Sequence, residues 1–339
     1  MKRLIVNADD FGLTLGVNRA IAACHQRGIV SSTTLMATAA RLEDAIALAQ
    51  QMPGLGVGCH AVLVDGEPLL PPSEVRSLLA PGTNRFYHGI GEVVRALARG
   101  RFRPEEIEAE AEAQMKRLQQ AGVRLSHFDS HKHTHMFPPI LRPLLRAAAT
   151  HGVRAVRSAF EPPEMIPYRE ARGNTGLLLR KYGLALLRAS LQRRWLQAVR
   201  DAGFATTDGS LGMVSSGSMT TKGLRSMLRR MPEGTWELVC HPGYNDRELD
   251  GIRTRLHASR EVEMNALLSL TREGLREQYG TELVHFGAIV PHIVSRTDVS
   301  RTGVPQAGVP QDVPQGVAQD VPQIERAAGP HGPEAGGQG

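Results

Sequence analysis

Apolar and polar positions alternate in two different rhythms along the chain. Short runs rich in β-branched residues, "RLIVNA", "SSTTLMA" and "GVGCHAVL", are interleaved with stretches whose apolar residues recur every three or four positions, such as "GVNRAIAACHQRG" and "LEDAIALAQQ". The first kind has strand length and suits a buried pleated surface; the second places its apolar side chains on one face of a helix. The stretch "PEEIEAEAEAQMKRLQQAG" carries helix punctuation at both ends. Pro104 pre-sets the first turn, Glu105 and Glu106 complement the positive end of the helix dipole, and Gly122 follows Lys116 and Arg117. With "LSHFDS" and runs at 153–158, 236–241 and 282–290, the expected strands number about seven or eight. Strands that alternate with helices pair in parallel. The expected fold class is therefore α/β, a TIM-like β/α barrel, seven-stranded or distorted.

The rhythm stops near Ser295. Residues 295–339 hold six prolines and eight glycines and repeat a Val-Pro-Gln unit, which leaves too little apolar surface to offset the entropy of ordering. The chain thus divides into a barrel domain, residues 1–294, and a disordered Pro/Gly/Gln-rich tail, residues 295–339, expected to be dispensable for chemistry. A chain of 339 residues with 41% hydrophobic content can bury a substantial core. Cys24, Cys59 and Cys240 lie far apart without zinc-type spacing, which points to free thiols in a reducing compartment. The apolar run behind "MKR" is too short for a signal peptide, and none elsewhere reaches membrane-spanning length, so a cytoplasmic protein is expected. The tail holds three arginines against five acids, so the remainder carries about +8 against +6 for the whole chain. With aromatics at 4% and no nucleic-acid motif, this excess does not make nucleic acid an expected partner.

Candidate chemistry gathers where strands end. The first runs into Asp9 and Asp10, and adjacent carboxylates in a low-dielectric site need a cation or a shared proton. "GVGCHAVLVDG" carries His60, and "HFDSHKHTHMFP" carries His127, Asp129, His131, His133 and His135. Parallel α/β folds put all these strand ends on one face. One carboxylate and two imidazoles suit a divalent metal with positions left for water and substrate, and a second Asp beside it can take a proton. Histidines alternating along an extended segment point to opposite sides, so at most two of that cluster are expected to reach one ion. "CHPGYND" adds His241, placed to protonate the leaving amine if the site hydrolyses an amide. Cys59 and Cys240 read as small buried strand residues rather than nucleophiles.

These segments, with "IVNADDFGLT" and "GIVSSTTLMA", resemble the YdjC/ChbG-like carbohydrate deacetylases in order and spacing over roughly residues 1–290. The longer stretches "LGVGCHAVLVDGEPLLPP" and "FDSHKHTHMFP" look most similar to HpnK, the branch associated with hopanoid lipid biosynthesis. The resemblance implies a β/α barrel with one divalent ion, zinc or magnesium. It implies Asp10, His60 and His131 as metal ligands, Asp9 as general base, and His241 as general acid or oxyanion stabiliser. His133 and His135 match the family motif and are expected to touch substrate or support the ligands. The implied substrate is an N-acetylated amino sugar, lipid-linked on the HpnK likeness. A soluble chito-oligosaccharide is the alternative, and a non-catalytic metal- or lipid-binding module is a third reading. The assembly expected is open between monomer and homodimer.

Residues 172–200 are not explained by this site. They contain seven basic residues and no acid, and Leu177, Leu184, Leu187, Leu191 and Trp195 recur at helical spacing. Two readings stand: a helix packed on the barrel exterior, or a membrane-surface segment whose arginines meet anionic headgroups while Trp195 and the leucines enter the interface.

Overall fold

Strand β1 (Lys2–Phe11) runs through the middle of a curled, all-parallel sheet. On one side follow β2 (Ser32–Leu35), β3 (Gly56–Ala61) and β4 (Phe128–Ser130); on the other, β6 (Gly234–Cys240) and then β5 (Gly209–Leu211). β7 (Thr281–Leu283) pairs with residues 2–4 of β1, on the edge that β2 occupies further along. This is a computed structural model, and it describes residues 1–165 and 175–290; the expected tail lies outside the described residues.

Leu4, Ile5, Val6 and Ala8 of β1 are wholly buried, which is why the strand reads as a continuous apolar run rather than an alternating one. The helices that cover the sheet are α1 (Leu15–Arg27), α2 (Leu42–Gln50), α3 (Ile90–Ala98), α4 (Pro104–Gln120), α5 (Pro138–Thr150), α6 (Thr175–Asp201), α7 (Thr221–Arg230), α8 (Arg247–Asp250), α9 (Ser259–Leu268) and α10 (Arg272–Tyr279). Thr14, Thr220 and Thr271 each accept a backbone N–H of the first turn of α1, α7 and α10, each cap contributing about 1 kcal/mol. α4 begins at Pro104 as its punctuation predicts. Its Glu110 and Gln114, polar in sequence, point inward and accept or donate at Val62, Leu69 and Leu70, fixing the chain beyond β3.

Two expected strands are shorter than their sequence runs. Residues 153–158 form only bridges, Val156 with Phe128 and Ala155 with Ala205, that span the gap between β4 and the approach to β5. The run at 282–290 gives three strand residues and then a 3₁₀ turn at Phe286–Ala288. The three cysteines are free and buried; burial raises all three thiols, Cys24 up to about 12. Among the described residues, no helix is long and apolar enough to cross a membrane.

The basic segment forms α6, with residues 172–174 and the side chains of Leu177 and Leu184 outside the described part. Trp195 does not enter any outer interface. It is fully buried, its ring set edge-on to Phe160 at 5.7 Å, and its indole N–H donates to the His135 carbonyl at 2.9 Å. Leu187 and Leu191 pack partly buried against the same core. The face expected to meet lipid is instead the one that anchors the helix.

His127, a candidate in the sequence, supports the barrel from inside. Its ring stacks on Phe286 at 3.9 Å, and its Nε2 lies 3.1 Å from Asn7 Oδ1. The ring fits because residue 58 has no side chain: a Cβ there would sit 2.5 Å from the imidazole. Gly58→Ala is expected to lower stability by about 1–3 kcal/mol through overpacking, read as a reduced urea midpoint with an unchanged slope. An unchanged midpoint would show that the ring has room to move aside.

Candidate active site

Adjacent residues of a regular strand point to opposite faces, so Asp9 and Asp10 should diverge. β1 avoids this with an irregular register against β2 between Ala8 and Phe11 and with Asp10 in the left-handed region, φ 66°. Asp tolerates that conformation better than most residues, and the kink swings both carboxylates to the carboxyl end of the sheet. Both are nearly fully buried.

Asp10 divides its oxygens between two tasks. Oδ2 accepts from the Arg260 guanidinium at 2.6 Å, while Oδ1 faces His60 Nε2 at 3.6 Å and His131 Nδ1 at 3.5 Å. The two imidazole nitrogens are 3.3 Å apart. Burial pushes the Asp10 carboxyl up, and Arg260 with His131 more than reverses this, so it stays ionised. His60 is held from behind: its Nδ1 lies 2.6 Å from Asp129 Oδ1, which keeps a proton there and turns Nε2 toward Asp10. Burial opposes charge on His60, but Asp129, Asp9 and Asp10 together raise it to about 9. One anionic oxygen and two imidazole nitrogens within 4.8 Å of one another, one ring backed by a carboxylate, fit a divalent cation. Asp9, His60 and Asp129 form a second such set. One guanidinium takes both oxygens of Asp9 and pairs with Asp129 Oδ2, whereas Arg260 takes only one oxygen of Asp10 and leaves Oδ1 facing the imidazoles, so the first set is the better host.

That guanidinium belongs to Arg157. It donates to both oxygens of Asp9, at 2.7 and 2.5 Å, and to Glu237 Oε1 at 2.7 Å, and it forms an ion pair with Asp129 Oδ2 at 2.6 Å, all buried from solvent. Asn7 and Thr34 add hydrogen bonds to Asp9 Oδ1 at 3.0 and 3.4 Å. Burial raises the Asp9 carboxyl, but Arg157 outweighs it and holds the group far below the usual carboxylate range. Glu237 shares the cation least: burial pushes it up to about 8, so near neutral pH it is largely protonated and one guanidinium balances two carboxylates.

His241 follows β6 and faces Asp9 Oδ2 with Nε2 at 3.8 Å. Glu263 holds it in place, accepting from the His241 backbone N–H at 2.7 Å and from Gly217 N–H at 2.6 Å. Burial lowers His241, with Asp9 and Glu263 opposing. The side chains of His131 and His241 are 21% and 12% exposed, whereas those of His60 and Asp9 are 2% each, so a substrate reaches the group from the His131–His241 side.

The histidine-rich segment is not extended. Residues His131–Met136 form a 3₁₀ segment, and Lys132 and His133 take left-handed backbone angles, φ 53° and 55°. The sharp turn leaves His131 at the site while His135 is buried against Ser130 Oγ at 2.8 Å. His133 Nδ1 and His135 Nε2 are buried without a hydrogen-bond partner, and burial lowers both rings, His133 to about 3. The five residues given metal or catalytic roles in the sequence, Asp9, Asp10, His60, His131 and His241, converge here. The sequence reading did not single out Arg157, Arg260, Glu237 or Glu263. Arg157 is one of two arginines in the run "VRAVRS", and nothing in that run separates it from Arg154.

Removing Arg157 would strand three buried carboxyls. Arg157→Met is expected to cost about 3–5 kcal/mol near neutral pH. In the parent, the depressed Asp9 pKa gives a contribution that is constant over this range and is lost only as pH falls below the unfolded-state value, and Glu237, raised to about 8, adds stability as pH falls. In the variant all three carboxyls titrate above their unfolded values, so stability should rise more steeply as pH falls. Urea midpoints measured from about pH 8 to about pH 5 test this; parallel pH slopes for parent and variant would contradict the arrangement.

Comparison with known proteins places the geometry in a lineage. A carbohydrate deacetylase of Halalkalibacterium halodurans is 31% identical over 288 residues, covering 81% of this chain and 98% of that protein. One from Brevibacillus brevis is 43% identical over 151 residues, 44% of this chain and 57% of that protein. Enterobacter sp. 638 has a chitooligosaccharide deacetylase 40% identical over 154 residues, 45% of this chain and 58% of that protein. The crystal structure of an Enterococcus faecalis V583 protein, assigned provisionally to cellobiose-phosphate cleavage, matches with a TM-score of 0.67 at 25% identity, over 86% of this chain and 99% of that one. The family model described as YdjC-like protein matches residues 3–276, and the chain belongs to that family.

Proposed function

We propose that this protein is a metal-dependent N-deacetylase that hydrolyses the acetamide of an N-acetylglucosamine-type sugar. The observation that carries this reading is the meeting of Asp10, His60 and His131 beside an ionised Asp9 and a partly accessible His241. The relatives named as carbohydrate and chitooligosaccharide deacetylases support the substrate class.

Asp10 Oδ1, His60 Nε2 and His131 Nδ1 are the atoms that would hold a divalent ion, zinc or magnesium. Such an ion, when bound, supplies a Lewis acid for the amide carbonyl and lowers the pKa of adjacent water. Asp9 accepts the proton of the attacking water. Arg157 keeps Asp9 anionic at any working pH and makes it a weak base, so the proton passes on readily to His241 across 3.8 Å. His241 delivers it to the departing nitrogen, giving acetate and a free amine. Asp129 holds the His60 Nδ1 proton, so Nε2 is the nitrogen that would give up its proton to a bound cation, and Glu263 keeps His241 opposite Asp9.

Within that class, the narrower proposal is a sugar carried on a hopanoid lipid, supported by the likeness of "LGVGCHAVLVDGEPLLPP" to the HpnK branch. The chitooligosaccharide deacetylase among the relatives supports a soluble acceptor instead. Acetate release from soluble chito-oligomers and from a detergent-solubilised N-acetylglucosaminyl lipid separates the two.

His60→Ala and His131→Ala are expected to lose the bound ion, measured by elemental analysis, together with acetate release. Asp9→Asn is expected to keep the ion and slow acetate release by about 10²–10⁴-fold. Undiminished metal in both histidine variants would remove the ligand assignment. Full turnover by Asp9→Asn would point to a different base, and no acetate release by the parent would favour a non-catalytic module.

A further inference from the structure

The outer face of α6 is the least explained surface among the described residues. Leu179, Tyr182 and Leu186 are 74%, 67% and 72% exposed, three of the seven large apolar side chains left most open. Spaced three and four apart, they form one stripe on one face. Arg193 and Arg200, each seven residues further on, continue that face, and Arg194 flanks it; all three are exposed. The helix holds no carboxylate before Asp201, and Arg193 and Arg194 make no ion pair among the described residues. At 1.5 Å per residue, an apolar patch about 10 Å long gives way to a cationic one over about the next 10–20 Å.

We propose that α6 docks the protein on an anionic bilayer surface, with Leu179, Tyr182 and Leu186 in the interface and Arg193, Arg194 and Arg200 against lipid phosphates. Apolar side chains on a face continued by arginines match the layering of a bilayer interface, acyl region beneath phosphate. A second copy of the chain is a poorer occupant. Three side chains fall well short of the roughly 800 Å² per partner that a stable dimer buries.

The opposite side of α6 makes this surface useful to the site. Trp195 ties the helix to the His135 carbonyl, within the 3₁₀ segment that carries His131. A docked α6 therefore holds the site's entrance at a fixed height above the membrane. The surface is read from α6 alone and does not depend on the deacetylase reading or on the substrate being lipid-linked.

The test is co-sedimentation of the full chain with phosphatidylcholine vesicles, with and without phosphatidylglycerol. Binding is expected only with the anionic lipid and is expected to weaken with salt. Arg193→Gln with Arg194→Gln should reduce it about 30-fold, at about 1 kcal/mol per cation near an anionic surface. Leu179→Gln, Tyr182→Ser and Leu186→Gln together should reduce it by about 100-fold or more. Melting temperatures report whether the variants fold, and because the substituted residues are exposed these should match the parent. No binding by the parent, or binding that survives both sets of substitutions, overturns the proposal. So does a parent dimer, seen by light scattering, that the apolar triple variant dissolves into monomers.

Discussion

Everything at the carboxyl end of this barrel depends on one buried guanidinium. Arg157 reaches Asp9, Asp129 and Glu237 at once, on three different strands, at a depth where an unpaired carboxylate would cost several kcal/mol. Its charge lets Asp9 stay ionised at the site's edge, and its contact with Asp129 braces that carboxyl behind His60. Through Asp129, Arg157 also governs which nitrogen of His60 faces Asp10. The pair of adjacent aspartates is thus resolved by two different cations: Arg157 takes Asp9, and Arg260 takes the far oxygen of Asp10. That division leaves one carboxylate oxygen and two imidazoles free to face each other.

The parts of this arrangement that follow from local pattern were legible in the sequence. Alternating strands and helices give the parallel sheet, and parallel strands bring Asp9, Asp10, His60, His131 and His241 to one end. What was not legible depends on three-dimensional contact. Arg157 and Arg260 look like any other arginines in a basic chain; only burial beside carboxylates marks them. Glu110 and Gln114 sit in a helix that reads as solvated, yet they point inward to hold the chain beyond β3. The turn at Lys132 and His133 defeats any argument from extended alternation, because left-handed residues there reorient each following histidine. Trp195 misleads for a related reason: helical periodicity shows that a face is apolar but not which side of the helix the barrel takes.

The two sides of α6 also separate stability from encounter. Trp195, Leu187 and Leu191 join the core and fix the helix to the loop that carries His131. The exposed stripe is free of that duty, so its chemistry can be tuned to a surface without disturbing the barrel. Glu263 plays a comparable part on the other flank, joining the loop at Gly217 to the backbone of His241. The site is held by elements that do not themselves carry reacting groups, which keeps its geometry rigid while leaving His131 and His241 accessible.

The central claim is that Asp10, His60 and His131, and not the neighbouring set of Asp9, His60 and Asp129, receive the cation. Crystals grown with zinc and measured at its absorption edge decide this directly. The predicted result is a single anomalous peak about 2.0–2.2 Å from Asp10 Oδ1, His60 Nε2 and His131 Nδ1, with Arg157 still clamped on Asp9. A peak between Asp9 and Asp129, with the guanidinium displaced, would contradict it.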